Sequence, residues 1–217
     1  MKRLFTLLSL LTIFAFIGCQ PEPEEKPETQ PNNEIWYTSY WGDKIYPTTT
    51  SDKGIFGATF THNTYEDGKG VFEFDADVTS IGNEAFTGQD RLLTISLPSS
   101  VKYIGLHAFE KCYGLTSIEL SENVWSIDSY AFAQCWNLKT ITLGERVSII
   151  GSGAFEDCRS LLNIYCKAQI PPTIDKYSFK KSGGFTIFVP KESVDAYKES
   201  TYWSDYADDI VGYDFSE

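Results

Sequence analysis

The sequence predicts a solenoid, mainly β, in which short parallel strands stack along one axis. Three features predict it, because they recur four times at intervals of 23 residues in the 217-residue chain. Each unit opens with a valine, has an isoleucine three positions later, and carries an Ala-Phe pair in the same register. The opening residues are Val78, Val101, Val124 and Val147, and the pairs are Ala85-Phe86, Ala108-Phe109, Ala131-Phe132 and Ala154-Phe155. Such a unit cannot bury its apolar face alone, so neighbouring units share one core.

Each unit closes with a strand of the pattern Leu-x-x-Ile, followed in most units by x-Leu. In the strand of the second unit, Ile118 and Leu120 point inward, whereas Ser117 and Glu119 point outward. We expect about four to five 23-residue repeats over residues 78–189, joined by short turns or 3-10 segments. The fifth is irregular, because Phe179 falls one residue late, and Gly183-Gly184 absorbs the slip.

The same interval extends the ladder of strands at both ends. Counting backwards from Ile95 reaches Phe72, and counting forwards from Ile164 reaches Ile187. This gives a ladder of about six strands, which spans roughly 24 Å at the usual strand spacing.

Covers are expected at both ends of the repeats. Residues 35–77 contain aromatic and β-branched runs broken by Gly, Asp and Pro, which indicates a β-rich N-terminal cap. Residues 190–217 predict a C-terminal cap with a short helix, because Val194 and Tyr197 lie three apart after Pro190.

The N-terminus has the features of an export signal. Lys2 and Arg3 precede the hydrophobic segment from Leu4 to Ile17, which is shorter than the roughly 20 residues of a membrane-spanning helix. Residues 1–18 then resemble a bacterial lipoprotein signal peptide, since Phe16-Ile17-Gly18 leads to Cys19, the residue that would receive the lipid. The alternative is an unlipidated signal peptide with an incidental cysteine. Residues 19–34 are rich in Pro and Glu and predict a flexible tether, so we expect lipid anchoring in the outer membrane, at the cell surface.

The repeat resembles a known family. Residues 101–120 fit the pattern Val-x-x-Ile-Gly-x-x-Ala-Phe-x-x-Cys-x-x-Leu-x-x-Ile-x-Leu of BspA-like leucine-rich-repeat surface proteins of Bacteroidetes. The resemblance, which extends over roughly residues 35–217, implies a leucine-rich-repeat solenoid. It also implies adhesion, through protein binding to host or bacterial surfaces.

Charge and residue types exclude several classes of function. The formal net charge of -12 disfavours nucleic acid as a partner. Cys112, Cys135 and Cys158 occupy one repeat position, where neighbours about 4.8 Å apart favour buried thiols over disulfides or a metal site. Neither of the two histidines lies in a recognisable catalytic motif, so we expect no enzyme and no cofactor.

Candidate binding residues are the outward-facing ones. One strand position reads Glu119, Thr142, Tyr165 and Phe188 in successive repeats, and Tyr113, Trp136 and Trp125 occupy variable turn positions. Aromatic side chains among polar neighbours are typical of protein interfaces or of stacking on sugars, but they also cover hydrophobic turns. The leading hypothesis is a monomeric adhesion module that recognises a host or bacterial protein, with a glycan-binding lipoprotein or a structural spacer as alternatives.

Overall fold

The computed structural model describes residues 29–48 and 53–216. The predicted signal peptide, Cys19 and most of the predicted tether lie outside these residues. Two short α-helices are present among them, α1 (Lys53–Phe56) and α2 (Val194–Glu199). The strands are β1 (Glu34–Ser39), β2 (Phe60–Glu66), β3 (Lys69–Phe74), β4 (Ser80–Ile81), β5 (Leu92–Ser96), β6 (Tyr103–Ile104), β7 (Ser117–Glu119), β8 (Ser126–Ile127), β9 (Thr140–Leu143), β10 (Ile149–Ile150), β11 (Asn163–Cys166), β12 (Thr186–Pro190) and β13 (Ile210–Tyr213). Among the described residues, no helix is long and apolar enough to cross a membrane.

The repeats build two parallel sheets, and the predicted fold class is confirmed. The strand that closes each repeat belongs to a nine-stranded sheet with the order β13-β12-β11-β9-β7-β5-β1-β3-β2. The isoleucine that follows each opening valine lies in a second sheet of four two-residue strands, in the order β10-β8-β6-β4. Strand pairs in both sheets keep the 23-residue interval, as in Ile118 with Ile141 and Ile104 with Ile127. The sheets enclose the core between them.

Stacked phenylalanines run through the core from repeat to repeat. Phe109, Phe132 and Phe155 are fully buried, and their rings lie nearly parallel, with centroids 5.1 Å and 5.3 Å apart. Phe179 continues this stack on Phe155 at 5.3 Å, although it falls one residue late in the sequence. The equal spacing follows from the strand spacing of the sheets, because each repeat adds one strand and one ring.

The cysteine ladder is also buried, and all four cysteines among the described residues are free thiols, as predicted. The thiol of Cys135 donates a hydrogen bond to the carbonyl oxygen of Phe109, with 3.2 Å between the sulfur and the oxygen. Cys112 and Cys158 make the same contact with the preceding phenylalanine of the stack. In the fifth repeat, the hydroxyl of Ser182 takes over this role and donates to the carbonyl of Phe155.

The N-terminal end differs from the predicted ladder. The expectation that β3, with Phe72, pairs directly with the first repeat is wrong, because β1 lies between β3 and β5 and is antiparallel to both. The folded part also starts before residue 35, since β1 begins at Glu34 and the Gln30 side chain hydrogen bonds to Ser96. An apolar strand at the open end of the repeats recruits this extra partner because its backbone groups need hydrogen bonds.

The irregular fifth repeat contains one extra residue in its first loop. Thr173 forms the bridge to Ile149, one residue later than the repeat interval requires. The interval is restored at Thr186, which pairs with Asn163. The slip therefore begins before Thr173 and ends near Gly183, one of the two glycines expected to absorb it.

The C-terminal cap combines the predicted helix α2 with an additional strand, β13. Tyr197 of α2 and Trp203 are fully buried, and Trp203 packs against Phe179 at the end of the phenylalanine stack. The chain then forms β13, which pairs in parallel with β12. The helical cap is thus as predicted, whereas β13 extends the large sheet by one strand.

Candidate functional site

Four predicted binding residues form one row across the large sheet. Strand pairing places Glu119 beside Thr142, Thr142 beside Tyr165, and Tyr165 beside Phe188. Alternate residues of a strand point to opposite faces, so this row lies on the side away from the buried Ile118. We call the outward side of β5, β7, β9, β11 and β12 the strand face. A second, polar row runs beside the first and consists of Thr94, Ser117, Thr140, Asn163 and Thr186.

Four aromatic side chains meet at the C-terminal end of the strand face. The rings of Tyr165 and Phe188 stack with their centroids 4.7 Å apart and their planes 13° from parallel. Tyr213 packs edge-on against both, at 5.5 Å and 5.6 Å, and Phe215 contacts Tyr213 at 4.9 Å. We call these four residues the aromatic corner. The stacked rings of Tyr165 and Phe188 each cover one face of the other.

Two residues of the aromatic corner are not among the predicted binding residues. Tyr213 and Phe215 reach the corner through β13, whose Ile210 and Val211 pair with Ile187 and Phe188. These pairs keep the interval of 23, so the repeat register itself held the signal that could have found β13.

A further aromatic residue lies beyond the N-terminal end of the strand face. Trp36 of β1 pairs with Ser96, and its ring is covered by the ammonium group of Lys69, 3.3 Å from the ring centroid. The indole nitrogen of Trp36 donates a hydrogen bond to the Glu34 carboxylate. Four strand steps separate Trp36 from Tyr165, which corresponds to about 19 Å of polar surface. No repeat spacing could find Trp36, because β1 stands outside the repeat.

Tyr113 and Trp136 stack side by side, as their shared repeat position predicts, with centroids 4.2 Å apart. The guanidinium group of Arg159, in the next repeat, lies 4.8 Å from the Trp136 ring centroid and covers its other face. Arg159 also makes two 2.9 Å hydrogen bonds to Asp157, which hold the pKa of that carboxyl below its usual value. These residues precede the strands in the chain, so the structure places them at the turn edge and not in the row on the strand face.

Trp125 occupies a third location. It lies just before β8 in the small sheet, and its side chain is 47% exposed. The seven predicted binding residues are therefore distributed over the strand face, the turn edge and the edge of the small sheet.

Carboxylates dominate the charge near the C-terminal ends of the strands. The Lys167 ammonium lies 2.7 Å from a carboxylate oxygen of Glu122. This contact, together with the nearby Glu119 and Glu145, raises the pKa of Lys167. The strand face beside this cluster is therefore a place where a positively charged partner is favoured.

The described residues show no arrangement suited to metal binding, since no three His, Cys, Asp or Glu side chains converge among them. Burial raises the pKa of Cys158 to about 12 and that of Cys166 to about 11. Thiols with such values stay protonated at neutral pH and are poor nucleophiles. His107 contacts Glu110 and stacks on Tyr130, so its ring is engaged in packing.

A family model described as the BspA type Leucine rich repeat region matches residues 69–203 in six copies. The copies exceed the four to five repeats expected, because the match begins at β3 and continues into the C-terminal cap.

Several solved structures are similar to parts of the chain. A leucine-rich repeat protein of T. pallidum is 27% identical, with 52% of this chain and 69% of that chain covered and a TM-score of 0.37. One from Bacteroides capillosus is also 27% identical, with 64% and 97% covered and a TM-score of 0.40. The pneumococcal vaccine antigen PcpA is 19% identical, with 63% and 40% covered and a TM-score of 0.44. No curated protein matches the chain.

Proposed function

The chain belongs to the family of BspA-type leucine-rich repeat proteins, whose family model matches residues 69–203 of it, and from this premise we propose that it is a cell-surface adhesion module. It recognises a host or bacterial protein through the strand face and has no enzymatic activity. In this proposal, the lipid on Cys19 anchors the protein in the outer membrane, and the predicted Pro- and Glu-rich tether links this anchor to the repeats.

The observation that carries this proposal is the unbroken row on the strand face. Glu119, Thr142, Tyr165 and Phe188 lie on adjacent strands, and the row ends in the aromatic corner. Protein interfaces combine a small aromatic centre with polar surroundings, and tyrosine and tryptophan are enriched among the residues that contribute most to affinity. The strand face has this composition on a rigid backbone.

The packing of the rings favours a protein partner over a glycan. Stacking on a sugar needs a free aromatic face, but both faces of Trp136 are covered, by Tyr113 and by Arg159. In the aromatic corner, Tyr165 and Phe188 cover each other and Tyr213 fills the space beside them. Ring edges and the tyrosine hydroxyl groups suit contacts with protein side chains.

The proposal is tested by measuring binding of the purified protein to immobilised host matrix proteins, mucins and bacterial surface proteins. Thr142→Arg places a large charged side chain in the middle of the row, and Tyr165→Ala removes a ring from the aromatic corner. Thr201→Arg, an exposed residue in the turn after α2, is the matched control. We expect a saturable protein partner that the first two variants lose and the control retains.

Two results would contradict the proposal. Displacement of the partner by free polysaccharide would indicate the glycan-binding alternative. Absence of any binding by a folded sample across the panel would indicate a structural spacer.

A further inference from the structure

Ile170 is an aliphatic residue that the irregular repeat displaces to the surface. By the 23-residue interval it follows Val124 and Val147, which are 0% and 2% exposed, yet its own exposure is 81%. The extra residue before Thr173 accounts for the difference, because it shifts Ile170 out of the register that buries Val124 and Val147. Insertions of this kind are where repeat proteins commonly carry binding surfaces.

The loop that presents Ile170 is held firmly. Pro171 and Pro172 follow it and fix two backbone φ angles. The Trp203 indole donates a 2.7 Å hydrogen bond to the carbonyl of Pro172, and the Thr173 amide bonds to Ser148 at 2.8 Å. Ile170 is thus held in an exposed position, where a partner would meet it without ordering the loop first.

A cleft of about 1070 Å³ lies beside this loop. Its walls are the turn at 145–148, the loop at 167–173, the start of the C-terminal cap at 190–192 and the tail at 213–216. Tyr213 and Phe215 line the cleft and also belong to the aromatic corner, so the cleft continues from the strand face around the sheet edge. The volume exceeds what one side chain needs and matches the upper range of ligand sites.

The size of the strand face indicates that a partner extends into this cleft. Its five parallel strands of about four residues each give a flat area of roughly 24 Å by 13 Å. That is less than half of the ~800 Å² that each partner contributes to a stable protein interface. A partner seated on the aromatic corner therefore needs neighbouring surface, and the cleft with Ile170 on its rim adjoins that corner.

The charged groups around the cleft indicate what kind of partner segment it binds. Three cations, Arg146, Lys167 and Lys191, and three carboxylates line the cleft. Lys191 is paired with Asp214 at 3.0 Å, and Lys167 is paired with Glu122, which with Glu119 adds two carboxylates beside the cleft. The lining itself is thus balanced in charge, and Glu119 and Glu122 add negative charge on the side of Lys167, in a chain whose net charge is -12.

We propose that the cleft binds an extended, positively charged peptide segment of the partner protein, with an apolar side chain packed on Ile170 and Phe215. This inference rests on the proposed function and names the chemistry of the partner. An extended segment fits because the cleft opens onto the strand face, so the chain of the partner runs from the aromatic corner across the edge. Its lysine or arginine side chains lie near Glu119, Glu145 and Glu192.

The test uses the full-length protein and fluorescein-labelled peptides of twelve residues, followed by fluorescence polarisation. The probe contains three lysines and three leucines separated by glycine and serine. One analogue replaces each lysine with glutamate, and the other replaces each leucine with serine. We expect the cationic apolar peptide to bind at least about tenfold more tightly than either analogue. Higher salt should weaken it, because exposed charges are screened.

Two aliphatic-to-serine variants distinguish binding in the cleft from non-specific binding to exposed apolar residues. Ile170→Ser should weaken binding about tenfold, because it removes an apolar contact without disturbing the core. Leu162→Ser is the matched control, since Leu162 is 54% exposed but does not line the cleft, and it should leave affinity unchanged. A thermal melt of both variants checks that each folds as the parent does.

Equal affinity for the cationic and anionic peptides would overturn the inference, as would equal effects of the two serine variants. A different result would show that the proposed function itself is wrong. If a protein partner is lost on Thr142→Arg but unaffected by Ile170→Ser, the strand face binds and the cleft does not. If Thr142→Arg leaves every partner bound, the proposed function itself is wrong.

Discussion

The phenylalanine stack is expected to stabilise the repeats by ring stacking as well as by burial. Phe132 is 0% exposed, and its two stacking partners lie at 5.1 Å and 5.3 Å with ring planes within 4° of parallel. Phe132→Leu keeps most of the apolar volume but removes both stacked pairs, each worth about 0.5–1.5 kcal/mol. The expected loss in the free energy of unfolding is therefore about 1–3 kcal/mol. Phe132→Ala also leaves a cavity, and about 3–5 kcal/mol is expected for it.

The assay is urea unfolding followed by circular dichroism, with the free energy of unfolding extrapolated to water. A double-mutant cycle with Phe109→Leu isolates the stacking term, because the two residues touch and their effects should not add. A loss below about 0.5 kcal/mol for Phe132→Leu, together with additive effects in the cycle, would refute the reasoning. The rings would then act only as apolar filling.

Three further predictions concern the thiols, the backbone and the C-terminal tail. Burial raises the pKa of Cys158 to about 12, so a thiol reagent at pH 8 should label none of the described cysteines before unfolding, and labelling of the native protein would contradict this. The free energy of unfolding should also fall as the pH rises above about 8.5, because the thiols of the unfolded chain lose their protons first. Gln134 has a φ of 61°, a left-handed backbone conformation that favours glycine. Gln134→Gly should therefore raise the free energy of unfolding by about 0.5–1 kcal/mol. A lower urea midpoint for this variant would contradict the prediction. Hydrogen bonds from Ser216 and, to a smaller extent, from Lys191 lower the pKa of Asp214 to about 2. NMR should therefore show the contacts of Asp214 with Ser216 and Lys191 intact above about pH 4 and lost as the pH falls towards 2. If no transition occurs in that window, Asp214 does not hold the tail.

The sequence predicts the repeats well because one physical pattern fixes them at every level. The interval that spaces Phe109 from Phe132 also sets the strand register, so the stack, the inward strand residues and the buried thiols follow from it together. The same interval relates Trp136 to Arg159 and Ile187 to Ile210, which shows that more of the surface was open to prediction.

The remaining features could not be predicted, because they depend on contacts outside the interval. The antiparallel insertion of β1 requires pairing with strands distant in sequence on both sides. The strands of the small sheet are two residues long, too short to show alternation. Ile170 has the spacing of a core residue, and only the extra residue that follows it turns it outward.

The position of β1 has a consequence for the order in which the chain folds. As the chain elongates, β1 appears first, yet both its neighbours come later, β3 from residue 69 and β5 from residue 92. The β2–β3 hairpin closes over Asp67 and Gly68 and can form locally, but β1 has to wait until the first repeat exists to hold it. A solenoid without such a strand could grow from its first unit onwards, because each repeat needs only its neighbour. In this protein, nucleation is expected among the central repeats, with the N-terminal strand joining as one of the last events.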